Sequence, residues 1–196
     1  VVLFTYDGAL PSIRELTSLV SIPRVVVTGV MDFVETLPRS SIESLGLDEA
    51  WLHFSSILDA TTDTRRPRVE IAPDDPALIQ FTGGTTGVPK GAVLTHGAVI
   101  ASSLGGYLWG ETFTKNIPLE QRSVVAIMPY YHVYGNIMVM NLALWSCMTQ
   151  IQFARFEIDE LLDTLERYES ITYFPSVPTM ISAIINHPRA AELKLD

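Results

Sequence analysis

The chemistry of this chain concentrates in eleven residues, Phe81-Thr82-Gly83-Gly84-Thr85-Thr86-Gly87-Val88-Pro89-Lys90-Gly91. Four glycines, three threonines and one lysine lie there between two β-like runs. Glycine lets a backbone turn through positive φ and bring its amide N–H groups close to a ligand. Successive inward-pointing amides make an anion-binding concavity. Threonine hydroxyls add donors, and Lys90 adds a mobile point charge suited to phosphate. A nucleoside triphosphate or pyrophosphate is the natural guest; a flexible hairpin loop with one exposed lysine is the plainer alternative. Spacing excludes two familiar phosphate loops. The pattern G-x-x-x-x-G-K-[ST] fails because Lys90 follows Pro89 and precedes Gly91, and Gly84-Thr85-Thr86-Gly87 does not supply G-x-G-x-x-G. A strand after Pro89 also leaves no helix N-terminus behind the loop.

Downstream, Met128-Pro129-Tyr130-Tyr131-His132-Val133-Tyr134-Gly135 sets a histidine among aromatic residues. It lies in a stretch, Ser123 to Ala154, with no Asp, Glu, Lys or Arg. A lone histidine in apolar sequence is commonly a hydrogen-bonded core residue; its other use is to hold a polar group of a substrate. Tyr131 and Tyr134 either wall the same pocket or fill a core. His96 and His187 read as surface residues, and Met138, Met140 and Met148 as core filler at helical spacing. The cluster Arg65-Arg66-Arg68 reads as a solvated patch.

The elements that must position these groups follow from periodicity. Strands are expected at Val25–Thr28, Ala77–Phe81, Ala92–Thr95, Ser123–Met128, Gln150–Phe153 and Ile171–Phe174. Helices are expected near Ile42–Ser55 and over Gly97–Leu108, Asn136–Met148 and Met180–Asn186. Between the last two, Ile158, Leu161, Leu162, Leu165 and Tyr168 form the clearest apolar stripe. Strands alternating with helices imply an α/β fold, a mostly parallel sheet with flanking helices. Two parts are expected: residues 1–76, a partial α/β segment with a connecting region, and residues 77–196, which carry the loop. The Asn136–Met148 helix is apolar nearly all round and too short for a bilayer, which needs ~20 residues; burial between layers is expected.

Composition narrows the function. Of 196 residues, 13 are basic and 22 acidic, a net charge of -9 that argues against a nucleic-acid backbone binder. One cysteine excludes an internal disulfide or a Cys-rich zinc module and fits a reducing compartment. With no spanning helix expected, a cytoplasmic location follows, peripheral membrane attachment being left open. Charged residues make up 18%, below the quarter usual for an independent domain. The chain opens on Val1-Val2-Leu3-Phe4-Thr5-Tyr6-Asp7, which reads as mid-strand. A piece of something longer is expected, with self-association through faces left uncovered.

Phe81 to Gly91 closely resembles the phosphate-binding loop of the adenylate-forming superfamily: acyl-CoA synthetases, peptide-synthetase adenylation domains and luciferases. Ala92-Val93-Leu94-Thr95-His96, the Met128–Gly135 motif and Ile171-Thr172-Tyr173-Phe174-Pro175-Ser176-Val177-Pro178-Thr179 are similar to later motifs of that family, in its order. The resemblance implies activation of a small-molecule carboxylate by ATP and Mg2+, giving an acyl-adenylate and pyrophosphate, then transfer, in the synthetases, to coenzyme A. It implies that Thr82, Gly83, Gly84, Thr85, Thr86, Gly87 and Lys90 hold the β- and γ-phosphates, with Thr82 a magnesium contact. Donors there stabilise the charge that pyrophosphate gains on leaving. It makes Lys90 and His132 the expected catalytic residues, His132 orienting the carboxylate. Tyr131, His132, Tyr134 and Gly135 are the expected substrate pocket.

Gly83 stands where many members have serine, a variant found among fatty acyl-CoA synthetases. The chain ends before the family's adenine and ribose motifs, its acidic magnesium ligand and its C-terminal catalytic lysine; Lys194 lies in an unrelated context. The polypeptide alone is therefore expected to be inactive. Three readings compete: a long-chain fatty acyl-CoA synthetase, an amino-acid or aryl-acid adenylating enzyme, and a non-catalytic nucleotide-binding or interaction module. The uncharged stretch after His132 favours the first, because an amino-acid site needs an acid to meet the substrate ammonium.

Overall fold

A computed structural model describes residues 2–29, 32, 51–83, 87–168 and 170–191. The chain divides into two compact units, residues 1–68 and 69–196.

In the first unit three strands pair in parallel, β1 (Val2–Tyr6), β2 (Arg24–Thr28) and β3 (Trp51–His53), in that order. Val25, Val26 and Val27 are buried, as a β-branched run covered on both faces should be. Helix α1 (Leu10–Leu19) carries Pro11 in its first turn, where no backbone N–H is missed. Its Leu10 and Ile13 pack with Val25, Val27 and Trp51. The helix expected near Ile42–Ser55 falls partly outside the described residues, and its described end differs. Trp51–His53 is a strand in register with Val25–Val27, and helix α2 (Phe54–Ala60) begins only after it. Pairing with a buried strand outweighs local helix propensity here.

A polar brace is buried beside these strands. Asp32 Oδ2 accepts from the Gly29 amide at 2.6 Å and lies 3.2 Å from His53 Nε2, while Ser55 Oγ lies 2.6 Å from His53 Nδ1. Asp32, His53 and Ser55 are all buried, so the three act as a brace rather than an exposed nucleophile. Arg65 pairs with Asp63 at 2.8 Å in open solvent, and Arg66 and Arg68 are exposed too.

The second unit begins with an antiparallel hairpin, β4 (Pro76–Thr82) and β5 (Lys90–Thr95). Its turn carries the Gly/Thr loop, so the antiparallel pair is the exception to the parallel pattern. Helix α3 (His96–Thr114) follows directly, capped by the Thr95 hydroxyl, which accepts from the Ala98 amide at 3.2 Å. Strands β6 (Ser123–Ala126) and β7 (Thr149–Gln152) are parallel. The strand expected at Ile171–Phe174 is reduced to one bridge, Val124 with Tyr173.

Both faces of β6 are covered. On one, Val125 and Ile127 pack with Leu161 and Leu162 of α5 (Ile158–Arg167) and with Met180 and Ile184 of α6 (Pro178–Ile185). On the other, Val124 and Ala126 meet Val139 and Ala143 of the helical run α4. That run comprises a first turn Val133–Gly135, a wide π segment Asn136–Asn141 and a last turn Leu142–Trp145. Only one side of α4 is buried: Leu144 and Trp145 are exposed, which corrects the expectation of a helix enclosed between layers. It ends in a left-handed turn at Cys147 (φ 52°), a place where glycine is usual. Arg122 joins α3 to this turn, donating to the carbonyls of Thr114 (3.0 Å), Ile117 (2.9 Å) and Ser146 (3.4 Å).

After α6, Arg189 binds Asp163 (2.9 Å) and Glu166 (2.8 Å) of α5, and these acids hold its guanidinium above its ordinary range. His187, expected at the surface, is mostly covered and lies 3.3 Å from Asp159.

Candidate functional site

The Gly/Thr loop sits at the tip of a regular hairpin. Thr82 pairs with Lys90 across the two strands, and the Thr82 hydroxyl donates to the Lys90 carbonyl at 3.3 Å. This closure fixes where the loop leaves and re-enters the sheet. Gly87 has φ +83°, a left-handed conformation that strains other residues. Among the described residues, nothing lies within 4 Å of a Cβ placed on Gly83, so none of them packs against that backbone. Lys90 is exposed and makes no ion pair among the described residues, which leaves its ammonium free for an anion. Gly84, Thr85 and Thr86 lie outside the described residues.

The second element is the turn from β6 into α4. His132 caps the helix: its Nδ1 accepts from the Tyr134 amide at 3.1 Å. A neutral imidazole that accepts at Nδ1 carries its proton on Nε2. The ring is therefore set to donate from Nε2, and it is exposed to do so. Three residues on, Gly135 is buried with no room for a side chain. A Cβ there would lie 2.1 Å from the Pro129 carbonyl oxygen and 2.6 Å from that of Met128. The glycine thus lets the helix start press against the strand end, and so sets the direction in which His132 points.

A residue that sequence reasoning passed over joins the two elements. Gln80 of β4 donates from Nε2 to the Tyr131 carbonyl at 3.1 Å, linking segments 51 residues apart. Gln80 stands two residues before Thr82, and Tyr131 adjoins His132. The loop and the histidine turn are thereby brought to one place. A polar residue between Ile79 and Phe81 was the available signal, but alternation alone does not say what it binds. Replacing Gln80 with Leu removes an exposed hydrogen bond, so stability should change by no more than about 0.5 kcal/mol. Any turnover that needs loop and turn together should fall several-fold, read as kcat at an unchanged melting temperature.

Of the two tyrosines, Tyr131 is 84% exposed and offers only its backbone to the tie. Tyr134 turns inward to Tyr173. Burial raises the pKa of the Tyr173 hydroxyl far above the usual phenol range, and the adjacent Tyr134 adds to the effect. A crevice of about 430 Å³ also lies beyond the carboxyl ends of β6 and β7, lined by Met128, Tyr130, Tyr131, Phe153 and Arg155 among others. Ligands favour this end of a parallel sheet.

For magnesium the donor set is thin. No cluster of three His, Cys, Asp or Glu occurs among the described residues, and Thr82 contributes one hydroxyl oxygen. These residues do not form a magnesium site by themselves. Magnesium commonly binds through one or two carboxylates together with substrate phosphates, so Thr82 fits only as an auxiliary contact to an ion brought in by the nucleotide.

The α/β architecture with an antiparallel loop hairpin is that of adenylate-forming enzymes. ATP-bound MatB from Rhodopseudomonas palustris superposes with a TM-score of 0.65 at 22% identity, over 96% of this chain and 32% of that one. The family model for AMP-binding enzymes matches residues 2–195. A long-chain-fatty-acid–CoA ligase of Bacillus subtilis is 27% identical over 197 residues, 95% of this chain and 34% of its own length. The 4-coumarate–CoA ligase 3 of Arabidopsis thaliana is 34% identical over 142 residues, 71% of this chain and 25% of its own length. The chain belongs to the AMP-binding enzyme family, the adenylate-forming ligases that include acyl- and aryl-CoA ligases. It spans a quarter to a third of the length of these curated relatives.

Proposed function

We propose that the native protein is an ATP-dependent acid–thiol ligase that activates a fatty acid and transfers it to coenzyme A. The observation that carries this reading is the Gln80–Tyr131 tie, which holds the phosphate-loop hairpin beside the His132 turn in a chain of this family. A carboxylate oxygen attacks the α-phosphorus of ATP and pyrophosphate leaves with the bonding electrons. The loop amides from Thr82 to Gly87, together with Lys90, bind the β- and γ-phosphates and stabilise the charge that builds on them. Thr82 would lend one hydroxyl oxygen to a magnesium ion brought in with the nucleotide, and such an ion would add to the neutralisation of phosphate charge. His132 donates from Nε2 to the carboxylate and holds it for attack. The thiol of coenzyme A then adds to the acyl carbonyl, losing its proton, and AMP departs.

The lack of charge from Ser123 to Ala154 supports an apolar acid over an amino acid. An aryl acid is the second reading, favoured by the 34% identity to a 4-coumarate–CoA ligase. No helix among the described residues is long and apolar enough to cross a membrane, and a cytoplasmic setting goes with the exposed Cys147 thiol.

The direct test supplies native protein, ATP, magnesium and coenzyme A with fatty, aryl and amino acids in turn. AMP and thioester should form in equal amounts with fatty acids. Thioester from aryl acids alone would establish the second reading, and AMP without thioester would remove the thiol acceptor. Replacing His132 with Asn keeps a capping oxygen but loses the Nε2 donor. Adenylation should fall about a hundredfold, with the melting temperature unchanged.

A further inference from the structure

Within α4, the residues Asn136–Asn141 form a π segment, wider than the α turns on either side. Such segments are rare, occur mostly as single turns and gather at functional sites. An α-helix turns by about 100° per residue. A residue taken up by the wider turn therefore offsets the helix face before the segment from the face after it. Both faces are fixed by contacts. Gly135 presses on the Pro129 and Met128 carbonyl oxygens, while Val139 and Ala143 pack against Val124 and Ala126 of β6. The π segment thus decides how the His132 end is aimed relative to the packed end.

The side chains show what holds the segment open. Asn136 and Asn141 are its first and last residues, both half-buried, and the two amide side chains of the run Val133–Trp145. Asn141 donates from Nδ2 to the Asn136 backbone carbonyl at 2.9 Å and to the Asn136 side-chain oxygen at 3.1 Å. The Asn136 amide in turn donates to the His132 carbonyl at 2.9 Å. A chain of hydrogen bonds therefore runs from Asn141 through Asn136 to the histidine. We infer that Asn141 is a positioning residue for acid activation: through Asn136 it holds the π segment, and with it the direction in which His132 meets the carboxylate. The inference rests on the ligase reading, in which His132 holds that carboxylate.

Leucine at position 141 is of similar size, removes both bonds and is the better helix former. The run should then close toward an ordinary α-helix without unfolding. The experiment measures acid-dependent ATP–pyrophosphate exchange by the native protein carrying Asn141→Leu, His132→Asn or both, with melting temperatures alongside. Asn141→Leu should lower the maximal exchange rate about tenfold. KM for ATP and the melting temperature should barely move, because the phosphate loop lies on other elements. In the His132→Asn background the same change should cost about twofold at most, since residues acting through one another do not add. Asn136→Ala keeps the backbone acceptor and loses only the second bond. It should show the same pattern at smaller amplitude, and it decides the question if Asn141→Leu fails to fold. A tenfold loss in both backgrounds would place the action of Asn141 elsewhere than His132 and overturn the inference. A wild-type rate in Asn141→Leu, or a lowered melting temperature with the rate intact, would overturn it while leaving the ligase reading untouched. Absence of exchange in the wild type with every acid would overturn both.

Discussion

Gly135→Ala should be the most damaging small substitution in the second unit. Its added methyl would sit 2.1 Å from one backbone oxygen and 2.6 Å from another, distances that a rotamer change cannot relieve. Either the Met128–Pro129 backbone or the first turn of α4 must move. Both are constrained: the strand before the turn is buried throughout, and α4 packs Val139 and Ala143 against it. Overpacking at such a site costs about 3 kcal/mol or more, the severe end for single substitutions. The expected result is a unit that unfolds at markedly lower urea or temperature and gives no adenylation at any acid concentration. Gly105→Ala, placed where nothing lies within 4 Å, is the matched control and should be neutral or slightly stabilising. A Gly135→Ala protein with wild-type unfolding would show that the turn tolerates a side chain, contrary to its geometry.

Lys90→Ala should produce the largest loss of chemistry with the least loss of fold. The side chain is exposed at the first position of β5, and the hydrogen bond from Thr82 goes to its backbone carbonyl, which alanine retains. Unfolding should change by no more than about 0.5 kcal/mol. Removing a preorganised donor from charge that grows in the transition state costs about 10²- to 10³-fold. The drop should fall mainly on kcat, because pyrophosphate gains charge as it leaves. Lys90→Arg keeps the charge on a planar, bulkier group and should recover only part of the rate. Equal activity of Lys90→Ala and wild type in single-turnover adenylate formation would remove the lysine from the mechanism.

Much of the fold can be read in the sequence because its signals are local and strong. The Val25–Val27 run, the stripe from Ile158 to Leu165 and the strand–loop–strand around Gly83 each appear where periodicity placed them. Two misreadings share one cause. Trp51–His53 has no strand signal of its own and is made a strand by pairing with β2; Ile171–Phe174 has the composition of a strand but gains only one bridge. Pairing is a long-range property that propensity does not carry. The same holds at the site. His132 and Gly135 stand out by type and spacing, yet the tautomer of His132 and the closeness behind Gly135 need coordinates. Gln80 stands out only as a polar residue in an apolar strand, and its partner could not be read, because that partner is a backbone carbonyl 51 residues away. The buried Asp32–His53–Ser55 brace was missed for a similar reason: three polar residues without a motif meet only through the sheet.

The most direct test of the acid-activating role is isotope exchange between ATP and pyrophosphate, catalysed by the native protein with and without an acid. The account predicts negligible exchange without acid, strong exchange with fatty acids, and its loss in Lys90→Ala. A folded protein that binds ATP and magnesium yet supports no exchange with fatty, aryl or amino acids would contradict it, leaving the loop a nucleotide-binding scaffold without chemistry.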